Sequence, residues 1–186
     1  MILTINNFLN KNLDNKVIIF PTDTVYGIGC KYQDITSVKK IYDIKNRDHS
    51  RPMAILCYSL EQVKQVVAKD VKLDEKITKY WPGKLTLIFK KDPSISDIIT
   101  AGKATVGVRI PNNSIALNLL QKHGPMVVTS LNESNEPAIT KFKDALNYQS
   151  KVDYIIEGGD LHNKPSTVYD TINKKVLRQG DIKISE

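Results

Sequence analysis

Four apolar residues, Val17 to Phe20, run straight into Pro-Thr-Asp-Thr-Val-Tyr-Gly-Ile-Gly, residues 21–29. The apolar run reads as a buried strand, and Pro21, with no N–H to donate, stops its ladder. Thr22, Asp23 and Thr24 then offer three short polar side chains just past the strand's carboxyl end. Gly27 and Gly29 permit close backbone approach or positive φ. In open α/β sheets, small ligands dock outside the carboxyl ends of strands. The stretch therefore points to an α/β fold with a ligand site at a strand end.

Apolar runs and amphipathic stretches alternate along all 186 residues, without a repeat, linker or low-complexity segment. Ile5, Phe8, Leu9 and Leu13 suit a first helix, and the spacing predicts others over Asp34–Lys45 and Leu60–Ala68. A further helix should end at Ile77–Trp81 before Pro82-Gly83, and one more covers Ile115–Leu120. Strands are expected at Met53–Tyr58, Leu85–Phe89, Thr105–Ile110 and Met126–Thr129. Closing strands are expected at Val152–Ile156, Ser166–Ile172 and Lys175–Arg178, with Asn173-Lys174 at a hairpin between the last two. The fold class that follows is α/β: a single domain over residues 1–186, with a core from about 15 to 180. Its twisted sheet mixes parallel and antiparallel strands and is flanked by helices.

A 41% hydrophobic and 25% charged composition is that of a soluble globular chain. No apolar run approaches a membrane span, and the N-terminus lacks the features of a secretion signal. Cys30 and Cys57 lack metal-ligand spacing and read as two reduced thiols in a cytoplasmic protein. His49, His123 and His162 do not pair at metal spacing, so no protein-held metal is expected. The net charge of +7 favours polyanions: nucleotide phosphates, tRNA or double-stranded RNA. A Lys-, Asn- and Ile-rich composition bias produces the same excess, so charge alone leaves nucleic-acid contact open.

The familiar phosphate motifs are absent: GIGCKY lacks the third glycine of a dinucleotide fingerprint, and no Gly-x-x-x-x-Gly-Lys-Ser/Thr occurs. Side chains must therefore neutralise any nucleotide phosphates. Lys45, Arg47 and Arg51, between a helix and a strand, could clamp a triphosphate; equally, they could simply complement a helix C-terminus. A second strand, Met126–Thr129, also ends in short polar side chains, with Ser130 and Asn132 following. Arg109 sits inside an otherwise apolar strand, where burial requires an anionic partner; on an edge strand it would be solvated instead. Ser166 enters one closing strand and Arg178 ends the other.

Taken in order, these residues resemble the YrdC/TsaC family, the short form of threonylcarbamoyl-AMP synthase. The resemblance spans about residues 15–180. It rests on PTDTVYGIG, Lys45-x-Arg47 with Arg51-Pro52, Trp81-Pro82-Gly83 with Leu85-Thr86, Val108-Arg109-Ile110-Pro111, Ser130-x-Asn132, Ser166-Thr167-Val168 and Arg178-x-Gly180. It implies a twisted mixed sheet around a basic concave pocket. The implied enzyme is a nucleotidyltransferase that joins L-threonine, bicarbonate and ATP into threonylcarbamoyl-AMP and releases pyrophosphate. Mg2+ would arrive with the ATP. A partner transferase machinery would carry the group to tRNA, next to the anticodon. By the resemblance, Lys45, Arg47, Ser130 and Asn132 are the catalytic set. Thr24, Arg109, Ser130 and Ser166 would bind threonine. Lys45, Arg47, Arg51, Asn132, Thr140 and Arg178 would bind ATP. The long form's second domain is not expected in this chain. Asp23 and His49 are the nearest candidates for a base. Two other readings remain: a non-catalytic RNA-binding module, and a carbamoyl-adenylating domain of the hydrogenase-maturation type.

Overall fold

The computed structural model describes residues 1–184, so the last two residues of the expected domain lie outside the described residues. The chain runs β1 (Ile2–Leu3), α1 (Ile5–Phe8), β2 (Ile18–Phe20), β3 (Gly27–Lys31), α2 (Ile35–Ile44), β4 (Ala54–Leu56), α3 (Leu60–Val66) and α4 (Glu75–Thr78). It continues through β5 (Leu85–Lys90), α5 (Asp97–Thr100), β6 (Thr105–Arg109), α6 (Ser114–His123) and β7 (Met126–Ser130). The remainder is α7 (Phe142–Ala145), a 3-10 turn (Leu146–Tyr148), β8 (Tyr154–Ile156), β9 (Thr167–Asp170) and β10 (Lys175–Arg178). All the strands form one sheet, in the order β1-β8-β2-β3-β7-β4-β6-β5-β9-β10. The sheet mixes parallel pairs such as β4–β6 and β5–β9 with antiparallel ones such as β3–β7 and β5–β6. This is the mixed sheet expected from the sequence.

Strand β1 and helices α5 and α7 were not expected from the sequence, and two further elements differ from its reading. The first helix is a single turn, α1, and Leu13 is buried beyond its end. GIGCK, read as part of a strand-end loop, forms strand β3 between β2 and β7. Glycine is a poor strand former, yet bulk is excluded here: a Cβ at Gly29 would lie 2.6 Å from the Val127 carbonyl oxygen. Both glycines serve close approach and neither has positive φ.

Strand alternation divides the core. Val127, Ile55, Val106, Val108, Leu85 and Leu87 enter one cluster with Val38, Ile41 and Tyr42 of α2. Met126, Val128 and Leu56 enter the other with Leu119 and Leu120 of α6. On this second face α6 covers one part of the sheet. The neighbouring part, over β4, β6, β5 and β9, is left as the floor of a cavity.

Candidate active site

The cavity has a volume of about 620 Å3 and a floor of alternate strand residues: Val128, Ala54, Gly107, Ile88 and Asp170. Thr24, Lys45, Arg47, Arg51, Arg109, Ser130, Asn132, Ser166 and Arg178 all line it. Thr140 does not: it lies outside the lining, where its carbonyl accepts from the Leu161 amide at 2.7 Å.

Arg109 ends β6, a central strand, and is buried. Its anion is internal: Nη2 forms an ion pair with Asp23. Nε donates to the Gly83 carbonyl at 3.0 Å, and Nη1 to Thr24 Oγ1 at 3.0 Å. Gly83 is itself held by its amide, which donates to the Ile110 carbonyl at 2.8 Å. The Pro-Thr-Asp-Thr and Trp-Pro-Gly stretches thus meet on one guanidinium. Hydroxyl bookkeeping then fixes Thr24. Thr22 gives its proton to the Val25 carbonyl at 2.7 Å, so the 2.9 Å contact between Thr22 and Thr24 runs from Thr24 to Thr22. Thr24 also accepts from Arg109, which leaves its oxygen one lone pair for an N–H donor.

Beside this corner, Ser166 Oγ lies 2.8 Å from Thr86 Oγ1 and accepts from Arg178 Nη2 at 3.1 Å. Arg178 Nε donates to the Ser166 carbonyl at 2.9 Å. Sequence reasoning gave Thr86 no role. Its signal was present: it is the one polar residue in Leu85–Phe89, on the face opposite Leu85 and Leu87.

The cationic side of the cavity begins where α2 stops. Asp34 caps the helix by accepting from the Ser37 amide at 3.0 Å. At the other end, the Arg47 amide donates to Tyr42 O at 2.9 Å and the Asn46 amide to Asp43 O at 3.1 Å. Asn46 has φ +46, completing a Schellman stop that turns the chain toward the cavity. Lys45, at this end, is buried and donates to the Ser130 carbonyl, to Asn132 O at 2.7 Å and to Asn132 Oδ1 at 2.9 Å. Those bonds use all three ammonium protons. Burial, with the charges of Arg47 and Arg51, brings its pKa down to about 7. Arg47 donates to the Arg51 carbonyl at 3.1 Å and to the Pro52 carbonyl at 2.8 Å, and so shapes the entry to β4. Arg51 is exposed and reaches Asn135, whose φ of +73 suits an asparagine. Leu131, bulky for this loop, is buried in the core. Lys103 adds a further cation that sequence reasoning did not single out.

Of the two candidate bases, Asp23 pairs with Arg109 through one oxygen while its Oδ2 is buried without a hydrogen-bond partner among the described residues, and His49 stacks on Tyr42 with ring centroids 4.5 Å apart. Tyr26 is fully buried and donates to the Gly159 carbonyl at 2.6 Å. Among the described residues no group of three His, Cys, Asp or Glu side chains is placed to hold a metal. No helix among them is long and apolar enough to cross a membrane.

The profile of the Sua5/YciO/YrdC family, described as telomere recombination, matches residues 11–180. The chain belongs to the Sua5/YciO/YrdC family. Within it, this member is 34% identical over 180 residues to threonylcarbamoyl-AMP synthase of Pyrococcus abyssi, covering 93% of this chain and 53% of that protein. The structure of P. abyssi Sua5 complexed with L-threonine superposes with a TM-score of 0.88 at 31% identity, over 97% of this chain and 57% of the other. Escherichia coli YciO gives a TM-score of 0.86 at 28% identity, over 97% and 90% of the two chains. This family member spans about half the length of the P. abyssi synthase and its Bacillus subtilis counterpart.

Proposed function

We propose that this chain is a nucleotidyltransferase that forms L-threonylcarbamoyl-AMP from L-threonine, bicarbonate and ATP, with release of pyrophosphate. One observation carries the reading. A single cavity holds a corner suited to an amino acid (Thr24, Arg109, Ser166, with Asp23 behind Arg109) and a mouth suited to polyphosphate (Arg47, Arg51), organised by Lys45. Thr24 would accept from the threonine amine, and Arg109 would meet the carboxylate. Bicarbonate gives CO2 by loss of hydroxide, and the amine attacks CO2 to form a carbamate; the proton the amine loses joins that hydroxide as water. The carbamate oxygen then attacks the α-phosphorus, and pyrophosphate leaves. Rate would come from holding the two substrates together and neutralising phosphate charge, with Mg2+ carried on the nucleotide.

The geometry refines the residue roles. Lys45 and Asn132 spend their polar atoms on one another and on the loop, so they would shape the site. The exposed Arg51 is the freer phosphate ligand. The product would pass to a transferase machinery acting on tRNA in the cytoplasm.

The test is pyrophosphate release by pure protein with ATP and Mg2+, which should require both L-threonine and bicarbonate. Release that instead needs carbamoyl phosphate would favour the hydrogenase-maturation chemistry. RNA binding with no release would favour a non-catalytic module. Arg51→Ala should lower turnover at least about tenfold, as loss of a charge-assisted contact does, with an almost unchanged melting temperature.

A further inference from the structure

We propose that Thr86 is a positioning residue that fixes the Ser166 hydroxyl as a hydrogen-bond donor to an anionic oxygen of the bound amino acid or its carbamate. The proposal rests on the synthase reading and names the polarity of its amino-acid site. Thr86 and Ser166 are both buried, and their hydroxyl oxygens lie 2.8 Å apart. Arg178 donates to the same Ser166 oxygen at 3.1 Å. A guanidinium has only hydrogens to give, whereas a hydroxyl oxygen has two lone pairs and one proton. Arg178 therefore occupies one lone pair of Ser166. One lone pair and one proton remain, shared between Thr86 and the cavity.

An anion in the cavity selects between the two arrangements. It needs the Ser166 proton, so Thr86 donates to Ser166 and Ser166 donates to the ligand. Both lone pairs of Ser166 are then filled, and the residue can only donate. In a buried site such a chain of hydrogen bonds polarises along its length, strengthening the last one. A ligand ammonium finds no acceptor at Ser166. It finds one at Thr24, whose proton is committed to Thr22 and whose oxygen keeps a free lone pair. In the β5–β6 register Leu87 lies opposite Val108, so one step further along each strand Thr86 and Arg109 come to the same end of the pair, and both line the cavity. The two hydroxyls thus present opposite polarities and would orient a zwitterion: amine toward Thr24, carboxylate or carbamate toward Ser166.

The experiment measures L-threonine binding by calorimetry for the wild type, Thr86→Val, Thr86→Ser, Ser166→Ala and the Thr86→Val/Ser166→Ala double variant. Valine keeps the shape of Thr86 and removes its hydroxyl. It should weaken binding about five- to tenfold, the worth of a hydrogen bond between two uncharged groups. Serine should restore affinity to within about twofold, since it keeps the hydroxyl. Because Thr86 acts through Ser166, the double variant should bind no more weakly than Ser166→Ala alone. Undiminished binding by Thr86→Val, or a double variant whose loss is the product of the two single losses, overturns the proposal. Should the valine variant not fold, the same cycle with Thr86→Ala gives the same two outcomes. A wild type that binds no threonine overturns both the synthase reading and this proposal. A wild type that binds threonine through the relay but releases no pyrophosphate overturns the synthase reading alone.

Discussion

Arg109 and Lys45 are both buried cations, and the protein treats them differently. Arg109 is neutralised by Asp23 and held by Gly83 and Thr24, partners drawn from two distant stretches of chain. Lys45 has no carboxylate: three oxygen acceptors hold its ammonium, while burial and the charges of Arg47 and Arg51 draw its pKa down to about 7. In the unfolded chain the amine returns to its ordinary value of 10.5. Between those values the unfolded chain binds more protons, so the contribution of Lys45 to stability improves as pH rises. The wild type should therefore gain on Lys45→Met by on the order of 1–2 kcal/mol between pH 7 and pH 9, read from urea unfolding at each pH. A constant difference would mean that the ammonium stays charged throughout. Sequence reasoning recognised that a buried Arg109 needs an anion. It could not name Asp23, because the residues meet only when the 21–25 stretch folds over the end of β6.

At the scale of elements, legibility followed length and local chemistry. Helix α2 was readable to within a residue: its apolar spacing repeats over several turns, and both ends carry local signals in Asp34 and Asn46. The four-residue helices α5 and α7 are too short to show a period, whereas α4, equally short, was placed by the Pro82-Gly83 stop that follows it, though it ends at Thr78. Strand β3 was missed because its glycines argue against a strand locally. Only the neighbouring β7, packed tightly along it, explains them. Gly29→Ala should thus push β3 from β7 and cost about 1–3 kcal/mol, as overpacking does, seen as a lower urea midpoint. Gly102→Ala tests a different mechanism: nothing lies within 4 Å of its added Cβ, and only its φ of +74 resists substitution. Equal losses in the two variants would count against tight β3–β7 packing.

At the scale of the whole molecule, six basic residues line the cavity, Lys45, Arg47, Arg51, Lys103, Arg109 and Arg178, against Glu136 and Asp170; with Arg109 neutralised by Asp23 and the pKa of Lys45 lowered, Arg47, Arg51, Lys103 and Arg178 carry most of the field. Asp170 is occupied by its own turn, accepting from the Ile172 and Asn173 amides at 2.9 and 3.1 Å. Such a field draws in polyphosphate and is screened by salt, the Debye length falling from about 10 Å at 0.1 M to about 3 Å at 1 M. The KM for ATP should rise about tenfold over that range, with little change in the KM for threonine, a zwitterion, in steady-state assays. Equal sensitivity of both would argue against separate amino-acid and phosphate ends. The sequence by itself determined the strands as apolar runs, the mixed α/β class, and the short polar and basic residues delivered at element ends. These signals are local, written in side-chain period and turn chemistry. Only the tertiary structure decided the strand order, the pairing of Asp23 with Arg109, the capture of Lys45 by the 130–132 loop, and the place of Thr140 outside the cavity lining. Each depends on contacts between residues far apart in the chain, which have no local signature until the sheet brings them together.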